Sequence, residues 1–246
     1  MSPRPTAAYS FGPGPLTPAV KAIIYANIAV FVATLLAPRL IVDTFGLSPA
    51  RVILELQFWQ LGTYLFVHSP THISHILFNM LAVWMFGVDL ERRWGTQGFV
   101  KYYAVTGVGA GLSMIAVSLL PFEATRSTFY AVTIGASGAV YGLLMAWAML
   151  FPHRQILFMF IFPLKARVFV LLIGAIAFVS ALGTSGGPVA NVAHLGGLLV
   201  GFVYLKGPRN LQFDLRYRLM KWRMDRMRRR FNVHKGGRNN SGDRIH

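Results

Sequence analysis

The chain contains no cysteine. Disulfides, thiolate metal sites and a cysteine nucleophile are therefore excluded, although the absence assigns no redox compartment. Acids are almost as scarce: eight Asp and Glu face 24 Lys and Arg, and charged residues make up only 13% of the chain, against about 25% in an ordinary soluble domain. Between Glu123 and Asp214 there is no carboxylate at all, so a histidine in that stretch has no acid in its own segment to orient it. The HExxH pattern of zinc peptidases is missing, and neither a metal nor any other cofactor is expected. The first residues, MSPRPTAAYSFGPGPLTP, lack an apolar h-region, which predicts no cleavable signal peptide.

Apolar residues supply what is present. They form 54% of the sequence and gather in runs close to the roughly 20 residues that cross a bilayer as helix. The runs predict an all-α, integral, multi-pass membrane protein with six spans: Val20–Leu36, His72–Leu90, Phe99–Leu120, Ser137–Phe151, Arg167–Leu182 and Pro188–Leu205. Pro38, Pro121 and Pro152 stop the first, third and fourth, and Pro188 opens the last. The expected organisation is a flexible segment 1–17, a six-helix domain 18–206 and a basic tail 207–246. Between the first two spans lies a segment of roughly 35 residues containing LQFWQLGTYLF. A connection that long usually has structure and a function, so an interfacial element with short helices is expected there.

The charges orient this bundle. Arg4, the ERR cluster with Lys101, then Arg154, Lys165, Arg167 and the tail fall on one side; the opposite side holds mixed or no charge. The positive-inside rule puts both termini in the cytoplasm, as in a bacterial inner membrane, with the loop PFEATRSTFYAVTIGA facing outward. From Lys206 onward there are thirteen basic residues and three acids. Phe213, Tyr217, Met220, Met224, Met227 and Phe231 recur there at helical spacing, which suits a basic amphipathic helix on anionic lipid. No motif supports nucleic acid as a partner.

Polar groups inside spans are expensive and are functional candidates by default. Three places stand out: TIGASGAVYG around Ser137, HSPTHISHILFN with His75 and Asn79, and NVAHLGGLLVG with Asn191 and His194. Counting about 1.5 Å per residue from the inner ends of their spans puts Ser137 about 21 Å up, His194 about 18 Å, Asn79 about 20 Å and His75 about 26 Å. That layer brings a hydroxyl, a base and hydrogen-bond donors together. A serine needs a base to take its proton, and His194 is the candidate. His75 and Asn79, four apart on one helix face, can donate to an oxyanion, as can the free N–H of Ser137 at a helix start. Gly135 permits a sharp turn before the serine. Gly142, Gly197 and Gly201 are positions of close helix approach. Tyr141, one turn after Ser137, can pack on the His194 ring, and Asn191 is a candidate partner for it. The economical reading is a Ser–His dyad. A transporter or channel built around intramembrane histidines, or a non-catalytic binder of membrane clients, are the alternative functions.

Taken together, FVHSPTHISHILFN, ERRWG, GASGAVYG and NVAHLGGLLVG resemble the rhomboid family of intramembrane serine proteases, over about residues 18–206. The resemblance implies a six-helix core and cleavage of single-span membrane proteins near the outer face. It implies Ser137 as nucleophile, His194 as base, and His75, Asn79 and the Ser137 amide around the oxyanion. It also implies Gly135 as the first glycine of GxSG and Tyr141 as the ring packed on the histidine. Two features depart from the family's pattern. Trp59-Gln60 stands where a Trp-Arg pair is frequent, and His68 lies seven residues before His75, where five is common.

Overall fold

Prolines begin the first three helices. Pro18, Pro38 and Pro49 open α1 (Pro18–Leu36), α2 (Pro38–Phe45) and α3 (Pro49–Leu54), where a missing N–H is harmless because the first turn has no acceptor for it. The computed structural model describes residues 12–121, 123–158, 162–182, 188–207, 220–224 and 226–227. The chain continues through α4 (Gln60–Thr63), a 3₁₀ turn at Tyr64–Phe66, α5 (Ile73–Ser118), α6 (Glu123–Tyr130), α7 (Ser137–Leu150), β1 (Gln155–Phe158), β2 (Phe162–Lys165), α8 (Ala166–Leu182) and α9 (Pro188–Lys206). It divides into two units, Met1–Leu205 and Lys206–His246.

The protein is mostly helical, and the apolar segments are helices. By length and composition, α1 and α5 pass as membrane-crossing among the described residues, while Ser137–Leu150, Ala166–Ala181 and Asn191–Lys206 are shorter apolar helices. Large apolar side chains stand exposed along them, among them Ile28 and Val32 on α1, Leu77 and Phe78 on α5, and Leu171 and Val179 on α8. A surface that greasy suits lipid rather than water.

The second and third apolar runs form two helical arms, which meet within α5 at Gly95, whose φ of 72° and ψ of 167° are non-helical. The two expected helices are thus present, joined at one glycine in ERRWGTQG. Two features differ from the sequence expectation. Part of the stretch expected as an outward loop is helical, α6. The all-α expectation also misses an antiparallel ribbon in which Leu157 pairs with Pro163 and Gln155 with Lys165. Pro163 has no N–H to give a helix, and a two-stranded ribbon tolerates it on an edge.

α7 lies at the centre of the first unit. Its inward positions Ala139, Leu143 and Ala146 are wholly buried. Small residues let its neighbours approach on two sides. A Cβ on Gly142 would come within 2.5 Å of Thr106 on α5, and one on Gly197 of α9 would collide with the Gly138 carbonyl of α7. A Cβ on Gly201 would meet the Tyr102 hydroxyl at 2.5 Å and Gly142 Cα at 3.2 Å. Dispersion and close backbone packing, not water exclusion, hold such helices together in lipid.

The end of the first arm of α5, just before Gly95, is tied to the start of α1. Glu91, 3% exposed, accepts the N–H groups of Ala19 at 2.9 Å and Val20 at 3.0 Å. It also accepts the hydroxyls of Thr17 and of Thr96, the latter at 2.8 Å. A carboxylate here satisfies orphan donors and complements the positive end of α1. Glu91→Ala is expected to lower unfolding free energy by about 2–3 kcal/mol, with Glu91→Gln intermediate. Chemical denaturation in mixed micelles measures this; an unchanged midpoint for Glu91→Ala would show that the cap is inert.

The first-loop element is ordered by one buried amide. Gln60 is wholly buried; its Oε1 accepts from Ser48 N–H at 3.0 Å, and its Nε2 donates to Gln57 Oε1 at 2.7 Å and Thr44 O at 3.4 Å. Trp59 Nε1 donates to Thr44 O at 2.9 Å. The Trp59-Gln60 pair is thus an internal brace of this loop.

In the second unit, residues 220–224 and 226–227 are helical, with Met220, Met224 and Met227 exposed and the Arg226 guanidinium 5.3 Å from the Trp222 ring centre. Phe213, Tyr217 and Phe231 of the amphipathic pattern lie outside the described residues, as do residues 1–11 and the loop glycines Gly183, Gly186 and Gly187.

Candidate active site

The approach to α7 is built as a short extended segment with a forced turn. Leu47 and Thr133 exchange both backbone hydrogen bonds, at 2.9 and 2.8 Å, and Gly135 N–H donates to Tyr64 O at 2.9 Å. Gly135 then adopts φ of +116°, which a side chain would strain. Ala136 follows as the residue preceding the helix, with no side-chain cap, and Ser137 is the first helical residue. The Ser137 N–H therefore has no acceptor inside α7, and the positive end of the helix faces the same space.

α9 brings His194 alongside. Its Nε2 lies 2.8 Å from Ser137 Oγ. The Tyr141 ring is stacked on the imidazole, centroids 4.2 Å apart and planes at 2°. Ser137 and Tyr141 are four residues apart on one face of α7, so a single helix holds both the hydroxyl and the surface against which the histidine lies. The close approach at Gly197, three residues after His194, puts α9 near enough for this contact.

Opposite, α5 presents His75 and Asn79. A Cβ on Gly135 would come within 2.6 Å of His75 Nε2, so that nitrogen faces the turn before Ser137. Asn79 Nδ2 donates to His75 O at 2.7 Å, and an amide NH₂ retains a second hydrogen to offer. Ser137, Tyr141, His194, His75 and Asn79 line one cavity of about 620 Å³, with Phe78 and the extended residues Ala131–Ile134 as further walls. Ser137, His194 and Asn79, which rise per residue puts in one layer, and His75, expected about a turn above them, share this one cavity. Gly197 and Gly201 act at the α7–α9 contact, away from the cavity lining, and Asn191 lies one turn before His194 and outside that lining.

Two side chains were not assigned from sequence. Ser69 also lines the cavity, and its N–H donates to His75 Nδ1 at 3.3 Å. His68 is wholly buried, its ring 5.0 Å from that of His75. His72, by contrast, is exposed beside the hydroxyls of Thr71 and Ser69, 2.9 and 3.3 Å from its Nδ1. Burial brings the His68 pKa down from 6.5 to about 4, with His75 adding to the shift and the Phe66 carbonyl opposing it.

An unfolded chain protonates His68 near pH 6.5, whereas the folded one resists until about pH 4. The stability that comes with a neutral His68 is complete above pH 6.5 and declines as pH falls towards 4. Between those limits the wild type is expected to lose about 3 kcal/mol more than His68→Gln. Unfolding of the two proteins in micelles across that range measures the difference; parallel curves would refute it.

A family model described as "Rhomboid domain" matches residues 55–207, more than half of the 246-residue chain. The chain belongs to the rhomboid family. This is a family of integral membrane proteins known as intramembrane serine proteases. The match begins after α1–α3 and takes in every cavity-lining residue. "Rhomboid protein 1, mitochondrial" of Saccharomyces cerevisiae is 33% identical over 137 residues, 55% of this chain and 38% of that protein. "Rhomboid protease GluP" of Bacillus subtilis is 28% identical over 158 residues, 64% of this chain and 27% of its own length. "Rhomboid protease GlpG" of Yersinia pseudotuberculosis is 28% identical over 190 residues, 77% of this chain and 61% of its own. The matched regions thus span between about a quarter and three-fifths of these relatives, which come from a mitochondrion-associated protein and from bacteria.

Proposed function

We propose that the protein is an intramembrane serine endopeptidase that cleaves single-span membrane proteins in or near the outer part of their spans, using Ser137 and His194 as a dyad. The observation that carries this reading is the 2.8 Å contact between Ser137 Oγ and His194 Nε2, made inside a cavity that also holds His75 and Asn79. In the reaction, Ser137 Oγ bonds to the scissile carbonyl carbon while its proton passes to His194 Nε2. The carbonyl oxygen becomes an oxyanion that takes hydrogen bonds from the Ser137 N–H, His75 and Asn79. Collapse breaks the C–N bond, and His194 returns the proton to the departing amine. Water, deprotonated by His194, then hydrolyses the acyl-enzyme. With no acid between Glu123 and Asp214, Tyr141 takes over the task of holding the imidazole plane.

Six helical segments — α1, the two arms of α5, α7, α8 and α9 — supply the spans in this reading. Both termini are cytoplasmic, in a membrane such as a bacterial inner membrane, and the basic second unit rests on anionic lipid. The substrate helix enters laterally and unwinds locally, because a peptide bond inside an intact helix is shielded by its own hydrogen bonding.

The test is reconstitution of the purified protein in vesicles with a single-span substrate, with mass spectrometry locating the cut and a fluorophosphonate probe reporting on Ser137. A cut in the outer half of the span together with labelling at Ser137 is the expected result. Client capture or solute flux without cleavage or labelling would replace the protease with a binder or a transporter.

A further inference from the structure

We propose that His68 and Ser69 form a clamp that sets the tautomer and orientation of His75, which makes His68 a positioning residue for the oxyanion pocket. The inference rests on the protease reading only for its effect on rate; the tautomer itself is independent of it.

The argument starts from which groups can donate. A backbone N–H donates and never accepts, so the Ser69 N–H, 3.3 Å from His75 Nδ1, requires that nitrogen to be the bare one. The proton of a neutral His75 is then on Nε2. Nε2 is the nitrogen that faces the Gly135 turn, 2.6 Å from where a Cβ would stand. The donor therefore points at the space just before Ser137, where an oxyanion forms. With the proton on Nδ1, the ring would present a lone pair to that oxyanion and repel it.

The neighbouring residue holds the ring in place. His68 is wholly buried and its ring meets that of His75 at 5.0 Å and 58°. Its own orientation is set within the loop: Nδ1 lies 3.4 Å from Phe66 O, and a carbonyl only accepts. His68 Nδ1 thus carries the proton, and Nε2 is left as a buried nitrogen without a partner among the described residues. A buried acceptor without a donor is unfavourable, and phenylalanine would fill the same space without it. What phenylalanine lacks is the Nδ1–H that ties the ring to the Phe66 carbonyl. One dipeptide thus applies two constraints to His75, a hydrogen bond to one nitrogen and a ring wall that prevents the imidazole from turning.

Selective ¹⁵N-histidine labelling of the full chain in micelles tests the clamp, with the His75 signals identified by their loss in His75→Gln. The wild type is expected to show a single His75 tautomer protonated on Nε2. His68→Ala is expected to show a mixture of tautomers, with His68→Phe intermediate. Since removal of a whole oxyanion donor costs about 10²–10³ in kcat, a loosened donor should lower kcat by roughly tenfold in His68→Ala, with KM unchanged. A wild-type His75 protonated on Nδ1 overturns the proposal outright, whether or not either variant folds. A His68→Ala protein with the wild-type His75 signals and wild-type kcat overturns it as well. A wild type that shows the expected tautomer but never cleaves a substrate leaves the clamp standing and removes the protease reading instead.

Discussion

Ser137→Ala is expected to lower the rate of substrate cleavage in proteoliposomes by about 10⁴–10⁶-fold, and His194→Ala by a similar factor. The double variant should be no worse than either single one. The hydroxyl and the imidazole are 2.8 Å apart and, in the proposed reaction, act as a unit: without the base the hydroxyl is a poor nucleophile, and without the hydroxyl the base has no proton to take. Additivity would require two independent contributions, each worth about 5–8 kcal/mol of barrier, which the geometry does not offer. A residual rate above the uncatalysed one is still expected, because His75, Asn79 and the Ser137 N–H remain to bind the oxyanion. Fluorophosphonate labelling should vanish in Ser137→Ala and fall sharply in His194→Ala. Cleavage by Ser137→Ala within tenfold of the wild type, or a double variant about 10⁴-fold worse than each single one, would remove the dyad.

Those two residues were visible in the sequence because their pattern is local and costly. GASG and AHLGG put small and polar residues where lipid favours leucine, and a constant rise per residue converts position into depth. The limits of α1, α7, α8 and α9 fall within about two residues of the expected ones, since proline punctuates most of them and helix boundaries are no sharper than that. What was not legible depends on partners remote in sequence. Glu91 reads as the first letter of a basic cluster, and only the fold shows it capping Ala19 and Val20, more than seventy positions earlier. Gln60 reads as an odd amide in an apolar loop until Ser48 and Thr44 come beside it. His68 could not be assigned because its spacing from His75 is unusual, and ring contact across a loop has no period to detect. The ribbon β1–β2 was lost in QILFMFIFPLK because a short apolar run has no distinctive periodicity.

Glycine substitutions separate close approach from mere flexibility. Gly197→Ala is expected to lower kcat by about 100-fold or more, while Gly62→Ala leaves it within twofold of wild type, about 0.4 kcal/mol. Both glycines lie in helices, α9 and α4, yet a Cβ on Gly62 would have nothing within 4 Å, whereas one on Gly197 runs into the Gly138 backbone. Backbone cannot rotate away as a side-chain tip can, so α9 must move off α7. His194 lies one turn before Gly197 on the same rigid helix and moves with it, lengthening the 2.8 Å contact to Ser137. A displacement near 1 Å at a reacting pair is worth about 100-fold in rate. Helix content should be unchanged, and alanine favours helix over glycine by up to about 1 kcal/mol, so an activity loss would come from displacement and not from unfolding. Kinetics in proteoliposomes alongside circular dichroism distinguish these outcomes. Gly197→Ala activity equal to that of Gly62→Ala would mean that the packing of α9 on α7 does not position His194, and the geometric basis of the dyad would fail with it.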